Sequence, residues 1–220
     1  LAVQHATSIV VLTGAGISAE SGLATFRGPD GLWEGHRVED VGTPEAFARD
    51  LALVHAFYDA RRVGLASVEP NAAHLALARL DSEWPGELLL VTQNVDDLHE
   101  RAGSKRLLHM HGENMKGWCL ACDRRFPWSG PMGVESLCPS CGVAGKVRPD
   151  IVWFGEMPYG MDRIEQALRE ADVFVSIGTS GAVYPAAGFV QTARYCGAKT
   201  LGLNLETCQG SIFFHESRDG

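Results

Sequence analysis

Nowhere in the 220 residues does an apolar run approach the roughly 20 consecutive positions that a bilayer-spanning helix needs. The first residues, Leu1 to Thr7, also lack the basic stretch leading into an apolar one that marks a secretory leader. A cytoplasmic protein without membrane contact is therefore expected. A basic excess is missing too: 27 acidic against 19 basic side chains leave a formal charge of −8. That balance argues against a general nucleic-acid binder and is compatible with positively charged substrates such as lysine-rich tails. Lysine itself is scarce, occurring only at Lys105, Lys116, Lys146 and Lys199. A disulfide framework is not indicated either. Four of the six cysteines form two close pairs, Cys119/Cys122 and Cys138/Cys141, while Cys196 and Cys208 stand apart.

What is present reads as one main globular domain, with 45% hydrophobic and 21% charged residues. Ser8-Ile9-Val10-Val11-Leu12 is a continuous apolar, β-branched run ending in Thr13-Gly14-Ala15-Gly16, the pattern of a buried parallel strand entering a tight turn. Similar runs recur at Leu88 to Val91, Val173 to Gly178 and Thr200 to Asn204. Alternation of such strands with helical sequence predicts an α/β fold, a Rossmann-like parallel sheet with helices on both faces. Asn71 is placed to cap a helix through His74, Leu77 and Leu80, and Gly103 and Gly197 sit where helices stop. Thr43-Pro44-Glu45 opens a largely helical stretch reaching about Val63.

Two segments interrupt the sheet pattern. Residues 34-73 form a helical insertion, and residues 112-150 carry both cysteine pairs with too few large apolar side chains for a core of their own. Both are expected to build a small domain against a main domain made of 1-33, 74-111 and 151-220, with a cleft between the two. Two Cys-x-x-Cys knuckles supply four thiolates, enough to close a tetrahedral zinc shell. Since no position remains for a catalytic water, Cys119, Cys122, Cys138 and Cys141 are expected to hold one structural Zn2+.

Gly14-Ala15-Gly16 lets the backbone approach a pyrophosphate, but the usual third glycine is displaced to Gly22, and no acidic residue closes a second strand at the customary distance. The longer phrase Gly14-Ala15-Gly16-Ile17-Ser18-Ala19-Glu20-Ser21-Gly22, followed by Thr25-Phe26-Arg27, strongly resembles the opening signature of the sirtuins. The resemblance continues in family order through Gln93-Asn94-Val95-Asp96, His109-Met110-His111-Gly112, the cysteine pairs, Trp153-Phe154-Gly155-Glu156, Gly178-Thr179-Ser180 and Asn204-Leu205-Glu206. It covers nearly the whole chain.

The resemblance implies an NAD-dependent enzyme that removes acyl groups from protein lysines. The region from Gly14 to Trp33, with Ala15, Gly16, Glu20, Thr25, Phe26 and Arg27, would wrap the cofactor. Gln93, Asn94, Val95 and Asp96 would line the nicotinamide and ribose pocket, and Gly178, Thr179, Ser180, Asn204, Leu205 and Glu206 would complete the adenosine side. Sirtuins usually carry a further adenine-contacting segment beyond the position of Gly220, and many have an acid where Thr25 stands. Without the resemblance, Asn94 and Asp96 could simply cap a helix from Val95 to Ala102, Phe26 could be core packing, and Arg27 could pair with a nearby acid.

His109 and His111 are two apart at an expected strand end, so they project to one side and spacing does not choose between them. The resemblance places the base on His111, with Asn94 and Asp96 fixing the cofactor. By analogy, an acyl-lysine oxygen displaces nicotinamide from the ribose. His111 then deprotonates a ribose hydroxyl, leading to free lysine and 2′-O-acyl-ADP-ribose.

Tyr58 and Arg61 stand three apart on the helical insertion and share a helix side. In sirtuins that prefer succinyl- and malonyl-lysine, a Tyr-x-x-Arg pair reads the acyl carboxylate, and Tyr58-Asp59-Ala60-Arg61 matches it. Alternatively, Arg61 is a surface charge beside Asp59 or Glu69. By the same resemblance, acyl-lysine proteins or peptides lie extended along Val152, Phe154, Gly155, Glu156, Val183 and Tyr184. A monomer is expected. An NAD-linked oxidoreductase would need a hydride-transfer residue set that is not evident, and a zinc-ribbon nucleic-acid binder fits poorly with the acidic balance. Transfer of ADP-ribose to protein would share the early steps.

Overall fold

The computed structural model describes residues 6–25 and 35–220. Phe26, Arg27 and Trp33, three of the expected cofactor contacts, lie outside the described residues. In chain order the strands are β1 (Ser8–Thr13), β2 (Glu87–Thr92), β3 (Leu107–His109), β4 (Gly112–Cys119), β5 (Arg125–Pro127), β6 (Val147–Ile151), β7 (Val173–Ile177), β8 (Lys199–Asn204) and β9 (Glu216–Asp219). The α-helices are α1 (Val38–Val41), α2 (Pro44–Arg49), α3 (Leu51–Leu65), α4 (Ala72–Glu83), α5 (Leu98–Ala102), α6 (Met161–Glu170) and α7 (Phe189–Tyr195).

Among the described residues, six strands form a parallel sheet in the order β3-β2-β1-β7-β8-β9. Period-two alternation divides its buried side chains. Val10, Leu12, Val91 and Phe174 pack with Ile164 and Leu168 of α6 and Phe189 and Val190 of α7. Ile9, Val11, Leu90 and Val173 pack with Leu77 of α4 on the opposite face. Full burial of each such side chain contributes about 1.5–3 kcal/mol. Both faces being covered explains why the strand sequences read as unbroken apolar runs. The strand order reverses between β1 and β7, so the carboxyl ends of these two strands form a topological switch point, where open α/β sheets bind ligands.

The helix boundaries follow local chemistry. Asn71 caps α4 by accepting from the Ala73 and His74 amides, and Gly103 ends α5 in the left-handed region at φ 107°. The stretch opened by Thr43 is two helices. Asp50, with φ −144° and ψ 78°, terminates α2, and its carboxylate accepts the Leu53 amide at 2.9 Å to start α3. A 3₁₀ helix over Ala15–Ser21 follows the glycine turn.

A second, antiparallel sheet has the order β5-β4-β6. Beside it, Val41, Phe47, Val54, Phe57 and Tyr58 of α1 to α3 pack on Ile151 and Trp153. Two polar ties join α3 to the cysteine-bearing segment. Arg62 donates to the carbonyls of Asn114 at 2.9 Å and Gly130 at 3.1 Å, and Asp59 accepts the Met132 amide at 2.9 Å while pairing with Arg62.

Candidate active site and metal centre

At the switch point the glycine turn lies directly against the end of β7. The Gly14 amide donates to the Ile177 carbonyl at 3.1 Å and the Gly16 amide to Gly178 at 2.7 Å. A Cβ on Gly14 would fall 2.8 Å from the Thr179 side chain, and one on Gly16 would fall 2.7 Å from the Gly178 carbonyl oxygen. Gly178 itself has φ +62° and approaches the Ile17 amide. Next to this contact, Gln93 Nε2 donates to Thr179 Oγ1 at 3.1 Å, and Asn204 Oδ1 accepts the Thr179 amide at 2.9 Å. The fold thus brings Gly14, Gly16, Gln93, Gly178, Thr179 and Asn204 to one end of the sheet. Glu20, Thr25, Leu205 and Glu206 are exposed.

Asn94 and Asp96 follow β2 and are buried in a polar cluster around Ser18. Asn94 Nδ2 donates to Ser18 Oγ at 3.1 Å, and Ser18 donates to Asp96 Oδ2 at 3.0 Å. Asn94 Oδ1 is buried with no hydrogen-bond partner among the described residues. Burial pushes the Asp96 carboxyl above its ordinary range, against hydrogen bonds from the Leu98 amide and Ser18. The Asp96 to Leu98 bond is a helix-end contact, as the capping alternative required, but α5 begins at Leu98 and not at Val95. The Val95 carbonyl is already taken by the Asn114 amide of β4 at 2.9 Å. Behind Ser18, His74 Nε2 lies 3.4 Å from its Oγ and His99 Nε2 lies 3.0 Å from Thr13 Oγ1. Burial holds both rings neutral, with pKa values of about 4 and about 3.

The two candidate histidines differ sharply. His109 Nδ1 donates to the Asn94 carbonyl at 2.9 Å, and Nε2 meets Glu100 at 2.7 Å. Burial alone would lower its pKa, but the hydrogen bond and charge of Glu100 raise it. Both nitrogens are occupied. His111 Nδ1 lies 3.2 Å from the Gln93 carbonyl, which can only accept, so Nδ1 carries the proton. Its Nε2 keeps a lone pair with no partner among the described residues, and burial lowers its pKa. Glu113, near His109 and Glu100, is paired with Lys116, so that trio is an ion-pair cluster.

A cleft is lined by Ala15, Ser18, Asn94, Val95 and Asp96 on the sheet side and by Ala60, Arg61 and Leu65 of α3. Tyr58, on the same helix as Arg61, is buried, and its hydroxyl accepts from Trp153 Nε1 at 2.9 Å. Burial raises its pKa, so the phenol remains neutral. Arg61 lies over the Phe57 ring at 5.3 Å. Of the expected peptide contacts, Phe154 and Tyr184 are exposed, and Val152, Gly155 and Val183 are partly or fully accessible. Glu156 has another commitment: its carboxylate takes Arg148 through both oxygens at 2.7 and 2.9 Å and the Trp153 amide at 2.9 Å. Arg148 is buried and stacks 3.4 Å from the centroid of Trp153. Sequence reading passed over Arg148, Ser18 and His74 as site residues. The Asn71-x-x-His74 spacing of a capping box was the available signal for the last.

The four cysteines converge. Their sulfurs all lie within 4.8 Å of one another, with Cys119 to Cys141 at 3.8 Å and Cys122 to Cys138 at 3.7 Å. Tetrahedral Zn–S bonds of about 2.3 Å require S···S edges of about 3.8 Å, so the donor set fits zinc with no open corner. Met132 and Val147 supply the small apolar core around it.

Against known proteins, the model of the Sir2 family matches residues 14–185. The NAD-dependent protein deacylase of Shewanella oneidensis is 60% identical over 206 residues, covering 93% of this chain and 84% of the relative. That of Bdellovibrio bacteriovorus is 59% identical over 211 residues, covering 95% and 89%. Among solved structures, a Sir2 homologue in complex with NAD superposes with TM-score 0.88 at 38% identity, covering 98% of this chain and 85% of that one. A mutant Sir2 homologue with ADP-ribose gives TM-score 0.90 at 37% identity, covering 99% and 88%.

Proposed function

The chain belongs to the Sir2 family, and from that premise we propose that it is an NAD-dependent protein deacylase in which His111 is the general base. The observation that carries this reading is the fixed tautomer of His111. Its Nδ1 proton is held by the Gln93 carbonyl, leaving Nε2 as an acceptor at the carboxyl end of the parallel sheet, where the glycine cradle also lies.

NAD, when bound, supplies a ribose carbon bearing a good leaving group, which an acyl-lysine oxygen can displace more easily than water can attack the amide. The residues present fit that guest. Gly14 and Gly16 leave no room for a Cβ against the end of β7, and Asn94 offers a buried acceptor that no described residue satisfies. Asn94 and Asp96 orient the nicotinamide-ribose end. His111, neutral near pH 7 because burial lowers its pKa, takes a hydroxyl proton on Nε2. The adenosine end is assigned to Gly178, Thr179, Ser180, Asn204, Leu205 and Glu206. Ala15, Glu20, Thr25, Phe26, Arg27 and Trp33 belong to the same cofactor set. Cys119, Cys122, Cys138 and Cys141 would hold a zinc ion that keeps residues 112-150 folded and, with all four corners filled, offers no site for the chemistry.

For the acyl group, Arg61 is assigned to a succinyl or malonyl carboxylate, since it lines the cleft beside Asn94 and Asp96. Tyr58, neutral and held by Trp153, can still donate its hydroxyl proton. The peptide backbone is assigned to the stretch from Val152 to Gly155 with Val183 and Tyr184, while Glu156 shapes that loop through Arg148. Incubation with NAD and acetyl- or succinyl-lysine peptide, followed by mass spectrometry, tests the reading. Nicotinamide with acyl-ADP-ribose is expected. NADH, or protein-bound ADP-ribose alone, would discard it.

A further inference from the structure

Arg148 of β6 is 3% exposed, and the chain that follows it closes around its guanidinium. Nε donates to the Pro149 carbonyl at 3.3 Å and Nη2 to that of Ile151 at 2.6 Å, while Nη1 and Nη2 take the two oxygens of Glu156 at 2.7 and 2.9 Å. One of those oxygens also accepts the Trp153 amide at 2.9 Å. The guanidinium carbon lies 3.4 Å from the centroid of the Trp153 ring and 5.0 Å from that of Trp118 on β4. Backbone and ring of Trp153 are thus held by a single ion pair, in a desolvated setting where cation–π attraction is strongest.

What that clamp fixes is the use of one proton. An indole nitrogen can only donate, so Tyr58 Oη spends a lone pair on Trp153 Nε1 at 2.9 Å. The phenol keeps its own proton, for which no described residue supplies a hydrogen-bond acceptor. Tyr58 is 2% exposed, so a hydroxyl proton without an acceptor carries a desolvation cost that a guest can relieve. A cation on the π face draws electron density from the indole and makes its N–H the better donor, so the guanidinium that holds the ring also tightens its bond to Tyr58. Three residues further along α3, Arg61 lines the cleft. We propose that Arg148 is a positioning residue for acyl selection: by fixing the Trp153 indole, it commits the Tyr58 hydroxyl to donating toward the carboxylate of a succinyl or malonyl group. This rests on the assignment of Tyr58 and Arg61 to that carboxylate. Arg148 itself lies outside the cleft lining.

The quantity that tests it is the ratio of kcat/KM for succinyl-lysine peptide to that for acetyl-lysine peptide, measured on the full chain. Arg148→Lys keeps the charge but cannot span both Glu156 oxygens or lie flat on the indole. Trp153→Phe keeps an aromatic ring and removes the donor. Each should lower the ratio about three- to tenfold, part of the worth of a hydrogen bond to a charged group, since Tyr58 loses its orientation and not its hydroxyl. In a Tyr58→Phe background neither substitution should move the ratio by more than about twofold, because no hydroxyl is left to orient. An unchanged ratio in either folded variant would overturn the proposal. So would an equal fall with and without the Tyr58 hydroxyl, which is what general damage to the loop produces. Where Arg148→Lys does not fold, Glu156→Gln takes its place: one carboxylate oxygen is lost, the guanidinium is loosened, and the same fall with the same dependence on Tyr58 is expected, its absence being equally decisive. A wild-type protein that releases nicotinamide with acetyl- but not succinyl-lysine peptide would count against the carboxylate assignment itself, and one that does so with neither would count against the deacylase reading.

Discussion

His111 Nδ1 lies 3.2 Å from the carbonyl oxygen of Gln93, a contact that commits the ring to one tautomer before any substrate arrives. His109, two residues earlier, has a carbonyl on one nitrogen and a carboxylate on the other, and so holds its proton where His111 is poised to accept one.

The first expectation concerns His111. His111→Ala should lower deacylation about 10²- to 10⁴-fold for acetyl and succinyl peptides alike, the usual range for loss of a general base. Its folding should be little changed. Protonation of Nε2 removes the lone pair, so the wild-type rate should fall on the acid side. Burial lowers the His111 pKa, which places that inflection below the ordinary value of 6.5. A pH profile of kcat/KM, which reports the free enzyme, checks this, and an acid limb lying above 6.5 contradicts the assignment.

Glu100 and His109 form a pair whose contribution depends on pH in two directions. The folded pKa of His109 is raised, so its stabilisation is complete below 6.5 and lost as pH rises through the folded value. That of Glu100 is lowered despite burial, chiefly by the hydrogen bond from His109, so its contribution is present above 4.5 and lost as pH falls through the folded value. The window of full benefit lies between the two. Glu100 is 40% exposed at its side chain, so Glu100→Gln should cost only on the order of 1 kcal/mol there. At pH 9 a neutral His109 would turn a lone pair toward the carboxylate, and the difference should vanish or reverse. Thermal melts of both proteins at pH 5.5 and 9 make the comparison; a constant difference refutes it.

The features legible in the sequence were those written locally. Both-face-buried strands read as apolar runs, Asn71 and Gly103 mark helix ends, and the cysteine pairs announce a metal. What escaped depended on distant partners. The segment after Gly14 winds into a 3₁₀ helix, whose Gly16 amide is captured by Gly178 at the end of the neighbouring strand β7. The helix expected from Val95 starts three residues late because Asn114 holds the Val95 carbonyl. His109 and His111 were indistinguishable by spacing, since Glu100, nine residues from His109, meets it only through α5. The bond of Glu156 to Arg148 likewise has no sequence signal.

Zinc removal should act at a distance. No cysteine lines the cleft, yet Asp59 and Arg62 anchor α3, which carries Arg61, to Met132 and Gly130 of the zinc-bearing segment. Its own core is too small to hold that segment without the metal. Cys138→Ser should therefore release the single zinc, lower the melting temperature by on the order of 10 °C, and abolish activity with it. Metal content, melting and nicotinamide release, measured on one preparation, should fall together. Retained activity in a zinc-free protein would show the segment to be independent of the site.

Arg61, proposed to read an acyl carboxylate, should separate acyl groups by charge. A guanidinium at the cleft gains a charge-assisted hydrogen bond from a succinyl carboxylate and nothing comparable from an acetyl methyl, a difference of roughly 1.5–3 kcal/mol or about 10- to 100-fold. Arg61→Ala should accordingly reduce kcat/KM for succinyl-lysine peptide by that factor and leave acetyl-lysine within about threefold. Arg61→Lys should recover only part of the loss, because a point charge cannot reproduce the planar fork. Tyr58→Phe should weaken succinyl turnover less, since it removes one hydroxyl already engaged by Trp153 and leaves the positive charge in place. Parallel losses for both acyl groups in Arg61→Ala would mean that Arg61 serves the cofactor or the fold and does not read the carboxylate.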